Sequence, residues 1–66
     1  MKITYYEADD ILVIRFSEDK VVRDTSFNWN FNVGYSENGI AEITILDAKA
    51  AGYWPIKVED LTRLAA

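Results

Sequence analysis

Residues 27–35, FNWNFNVGY, decide how this chain is read. Phe27, Trp29, Phe31, Val33 and Tyr35 share one parity, and Asn28, Asn30, Asn32 and Gly34 share the other. A period of two over five apolar positions predicts a β-strand with one buried and one wet face. At about 3.3 Å per residue such a strand spans roughly 30 Å, longer than most. A bend or bulge is therefore expected, with Gly34 the residue suited to it. Downstream, SENG at 36–39 reads as a hairpin turn, because Asn and Gly tolerate positive φ. IAEITIL at 40–46 is then the return strand. In that pairing Ile43 and Ile45 meet the aromatic parity, while Glu42 and Thr44 lie beside the asparagines.

Working back toward the N-terminus, VVRDT at 21–25 is a short strand or extended connection, and SEDK at 17–20 a turn. ILVIRF at 11–16 carries apolar groups on both parities, which suits a central strand. EADD at 7–10 is a polar turn, and KITYY at 2–6 is a strand rich in β-branched and aromatic residues. Toward the C-terminus, AKAAG at 48–52 is helix-prone but short, and Pro55 stops any continuation. KVEDLTRLAA from Lys57 predicts a helix. Val58, Leu61 and Leu64 or Ala65 recur at helical spacing, Glu59 and Asp60 sit near its start and Arg63 near its end. The expected fold is α+β: a small antiparallel meander of four to five strands with a C-terminal helix. Residues 1–66 form one domain in this reading, with a sheet core at 1–48 and an extension at 49–66.

Composition limits function. A domain of 66 residues buries only about 60% of its unfolded surface, so its stability is marginal unless something adds to it. There is no Cys and no His, which excludes disulfides, thiolate chemistry and ordinary zinc sites. Dense packing or self-association remains, and one short helix is too small to cover five large side chains. A homodimer is expected. Seven basic and eleven acidic residues leave a net charge of -4 with the cations scattered, which disfavours nucleic acid and suits a basic protein partner. MKITYYEADD does not resemble a signal peptide, and ILVI is far too short to span a bilayer. A cytoplasmic, non-membrane protein is expected.

Ile3, Thr4, Tyr5, Glu7, Ala8, Asp9, Ile14 and Arg15 form a strand, an acidic turn and a second strand ending near Arg. Val33, Tyr35, Glu37, Asn38, Gly39, Ile43, Ile45, Leu46, Asp47 and Ala48 form a later strand, a turn and an Ile-Leu-Asp-Ala ending. Over residues 1–48 this order resembles the DUF2283 family, small prokaryotic proteins of unknown function. The aromatic FNWNF departs from the family's more aliphatic and acidic strand, and the tail from Lys49 has no counterpart in it. The resemblance implies no established activity and no catalytic residues. Some members are similar to the smaller partner in candidate toxin–antitoxin pairs, which implies a toxin-neutralising role as one possibility.

No residue is assigned a catalytic, cofactor-binding or metal role. Glu7, Asp9 and Asp10 are of the type that holds a hard cation, but they lack EF-hand spacing and read more simply as a solvated turn. A small metal-dependent enzyme using that acidic turn is the alternative. Ser17, Thr25, Ser26, Thr44 and Thr62 have no His to activate them, and three glycines make no phosphate loop. Trp29, Phe31 and Tyr35 are of a kind that stacks on bases, but flanking cations are missing. Arg15 and Asp47 are expected to pair. The favoured function is a non-enzymatic protein-interaction module. Phe27, Trp29, Phe31, Val33, Tyr35 and Trp54 are its candidate interface, divided between core and partner contact.

Overall fold

A computed structural model describes residues 1–57. Five strands form one antiparallel sheet: β1 (Lys2–Tyr6), β2 (Ile11–Arg15), β3 (Arg23–Asn28), β4 (Phe31–Ser36) and β5 (Gly39–Leu46). Their order across the sheet is β1-β2-β5-β4-β3. This is not a simple meander, since β2 pairs with β5 and the connection at 16–22 carries the chain to the far edge. Backbone hydrogen bonds pin that connection at both ends. The N–H of Phe16 donates to Ala41 at 2.7 Å and that of Val22 to Tyr35 at 2.8 Å.

The expectation of an α+β fold is overturned. The described residues contain strands and turns and no helix. The helix expected from Lys57 lies, past that residue, outside the described residues. AKAAG does not become a helix either: Ala51 N–H donates to Asp47 and Gly52 N–H to Lys49, so 47–52 is a turn. Five residues before a positive-φ Gly52 leave no room to propagate a helical nucleus.

The opening stretch is also not one strand. It is most of a hairpin, with Trp29 and Asn30 as its two-residue loop. The Asn28 Oδ1 accepts the N–H of Asn30 at 3.1 Å and of Phe31 at 3.0 Å, an Asx turn that reverses the chain. The β3–β4 register shifts between Ser26 and Asn28, which makes Phe27 the extra residue of a bulge. From Phe31 onward the parity reading holds. Phe31 lies opposite Ile45, Val33 opposite Ile43, Asn32 opposite Thr44 and Gly34 opposite Glu42. The second register shift falls at Gly34 and Tyr35, where β5 contributes Ala41 as the extra residue.

One sheet face is the core. Leu12, at 1% exposure, Ile45 and Ala48 form its centre, with Tyr5, Ile14, Phe31, Ile43 and Trp54 packed around them. The chain covers this face with its own 47–54 segment. The Trp54 ring stacks on Tyr5 with centroids 4.6 Å apart, and Tyr53 meets Phe31 edge-on at 5.1 Å. Offset and edge contacts are the arrangements aromatic quadrupoles prefer.

Candidate functional site

Asp10 is where turn chemistry and cover meet. Its backbone has φ +53°, a region Asp tolerates better than most residues. That geometry lets its carbonyl accept the N–H of Ala48 at 3.0 Å. Its carboxylate accepts the N–H of Lys49 at 2.7 Å, the N–H of Ala50 at 3.1 Å and the hydroxyl of Tyr5 at 2.8 Å. Donation from the Lys49 N–H holds the Asp10 carboxyl below its ordinary pKa, with the Ala50 N–H and Tyr5 hydroxyl adding to it. The same bond to Asp10 raises the Tyr5 phenol above its ordinary value. Asp10 thus anchors the turn that leads Tyr53 and Trp54 back over the core.

This placement bears on the metal alternative. Both Asp10 oxygens are engaged, and among the described residues no three acids group closely enough to hold an ion. Glu7, Asp9 and Asp10 do not converge on one point. The expected pair between Arg15 and Asp47 is replaced by another. Arg15 Nη1 donates to Glu42 Oε2 at 2.8 Å, because the two are cross-strand neighbours on β2 and β5.

The six candidate interface residues separate into two groups. Phe31, Val33, Tyr35 and Trp54 are half-buried or buried in their own chain. Tyr35 carries the Arg23 guanidinium over its ring at 4.3 Å, a cation–π contact across the β3–β4 pair. Phe27 and Trp29 stand in solvent at 68% and 70% exposure, one on the bulge and one in the turn. The other side of this hairpin is polar: Asn32 donates to Asp24 at 3.0 Å and Ser26 to Asn32 at 3.3 Å. A shallow depression of about 260 Å³ at the other end of the hairpin is lined by Asp19, Lys20, Val22, Ser36, Glu37 and Asn38.

The sequence reading weighed Asp10 only as a metal ligand or a solvated turn residue, and it missed Tyr53, Val22 and Arg23. Asp10 had a signal, since a strand-to-strand turn ending in Asp offers an acceptor for nearby N–H groups. Val22, 56% exposed beside β3, had none, because its exposure depends on which strand lies at the edge.

The sequence model for the family described as "Protein of unknown function (DUF2283)" matches residues 2–49. The chain belongs to the DUF2283 family. Neither a curated protein nor a solved structure gave a significant match. The DUF2283 match takes in all five strands and ends at Lys49, whose N–H binds Asp10. Tyr53 and Trp54, which close the core, lie past it. Among the described residues no helix is long and apolar enough to cross a membrane.

Proposed function

We propose that this DUF2283 chain is a non-enzymatic protein-interaction module that works as a homodimer. The observation supporting this reading is Trp29. It stands 70% exposed on a turn that Asn28 locks with two hydrogen bonds, and exposed Phe27 is close by in sequence. Large apolar side chains held out on ordered backbone are what interfaces use as anchors. A finer form of the same function is neutralisation of a basic toxin, for which the net charge of -4 supplies complementary steering.

Light scattering on the full chain tests the association. The expected result is a dimer mass, with Trp29→Asp giving a smaller mass and an unchanged circular dichroism spectrum. A well-folded wild type that stays monomeric at millimolar concentration overturns the homodimer. For the toxin form, a co-expressed product of a neighbouring gene should co-purify; recovery of the chain alone, with no growth-inhibiting neighbour, counts against it.

A further inference from the structure

β3 is an edge of the sheet, and no described strand pairs its outer side. All six of its residues are exposed. An open edge presents a row of N–H and C=O groups that can template another strand. The inner pairing shows which groups face outward. Val22 donates its N–H inward to Tyr35 at 2.8 Å, and Asp24 lies opposite Gly34. The Leu46 N–H donates to Asn30, so β4 turns Val33 and Tyr35 toward β3; their partners Thr25 and Arg23 point inward, and the peptide groups of Asp24 and Ser26 face outward. The other edge, β1, carries Lys2, a common guard against pairing; β3 has neither Lys nor Pro.

Exposed apolar side chains flank this edge at both ends. Val22 precedes β3, while Phe27 and Trp29 close it. An antiparallel two-fold brings the beginning of one such strand to the end of the other, so each end covers its opposite. We propose, resting on the interaction reading above, that a second copy of this chain adds its β3 to this β3 about a two-fold axis at Thr25.

In that register Arg23 faces Phe27 of the second copy, Asp24 faces Ser26, and Val22 lies beside Asn28 and Trp29. Neighbouring registers are worse for stated reasons. Centring on Asp24 or on Arg23 sets like charges directly opposite, which destabilises a sheet. Centring on Ser26 sets Thr25 against the bulged Phe27 on both sides of the axis. Thr25 leaves a regular central pair, and the two sheets join into one of ten strands, twice the five of each copy.

The test is sedimentation equilibrium on the full chain with Asp24→Pro, Ser26→Asp and Ser26→Lys. Proline at Asp24 removes an N–H that faces outward and that β4 does not use, and edge strands accept it. The expected result is a wild-type dimer and an Asp24→Pro monomer with the same circular dichroism spectrum. Ser26→Asp places two carboxylates opposite each other at two symmetry-related places and weakens the dimer about fivefold, while Ser26→Lys tightens it by a similar factor. A folded, dimeric Asp24→Pro overturns the β3 contact and leaves the interaction reading standing. A folded monomeric wild type overturns both. Should Asp24→Pro fail to fold, the Ser26 pair decides, and equal dimer affinity in the two variants overturns the proposal.

Discussion

At the scale of single residues, Asp10 does the most with the least bulk. Its folded pKa is held below the ordinary carboxylate value, so the carboxylate form is the stabilised one. The stability it supplies is present above that ordinary value and is lost as pH falls through the depressed one. Urea midpoints should therefore drop on acidification below about pH 4, and Asp10→Asn should lower the neutral-pH midpoint and flatten that acid limb. Asn keeps one acceptor oxygen and tolerates the left-handed backbone, so an unchanged midpoint and profile would show the clamp to be idle. Leu12 offers a separate check, being 1% exposed at the centre of the core. Leu12→Ala should cost about 2–5 kcal/mol by chemical denaturation, through lost burial and a residual cavity. Ala48 has no exposed surface, and Ala48→Leu should cost about 1–3 kcal/mol, because a larger side chain must displace Leu12 or Ile45.

At the scale of elements, the two hairpin turns differ in how they reverse the chain. The β4–β5 turn uses Gly39 at φ +125°, with Ser36 Oγ accepting the N–H of Asn38 at 3.1 Å. The β3–β4 turn uses no glycine and depends on Asn28 Oδ1 instead. Asn28→Ala should destabilise the chain by about 1–2 kcal/mol, as two modest net hydrogen bonds are lost. Amide exchange should accelerate in β3 and β4 more than in β1 and β2; a uniform change would mean the turn is not held locally. The sequence reading placed a strand through this turn for a clear reason. Asparagines at every second position look the same whether they face water or close a loop. Period alone does not separate the two, and Asn28 is distinguished only by which N–H groups its side chain reaches. The Gly34 bulge, the SENG turn and the pairing of Phe31 and Val33 with Ile45 and Ile43 were legible, because alternation and Asn-Gly chemistry act over a few residues.

At the scale of the whole molecule, a one-layer sheet keeps its core by folding its own tail segment across one face. Trp54 is central to that cover through its stack on Tyr5. Trp54→Ala should cost about 2–3 kcal/mol, less than a fully buried Trp because the ring is only half-buried. Its loss should also expose Leu12 and Ile45 to a hydrophobic dye. A variant that neither loses stability nor binds dye would mean that the 47–54 segment is not the cover. The 47–54 cover leaves Phe27 and Trp29 in solvent, at 68% and 70% exposure.

The amino-acid pattern by itself determined the strand-rich chain, most strand boundaries, the absence of thiol and imidazole chemistry, and membership of DUF2283. These depend on local periodicity, turn residues and composition, all of which act at short range. Tertiary structure alone decided that β5 lies between β2 and β4, that β3 is an edge, and that Arg15 pairs with Glu42 rather than Asp47. It also decided that Phe31 is shielded by Tyr53 while Trp29 stays 70% exposed. Burial is a property of neighbours brought together across the chain, so identical parity in FNWNFNVGY led to opposite environments on the two sides of one turn.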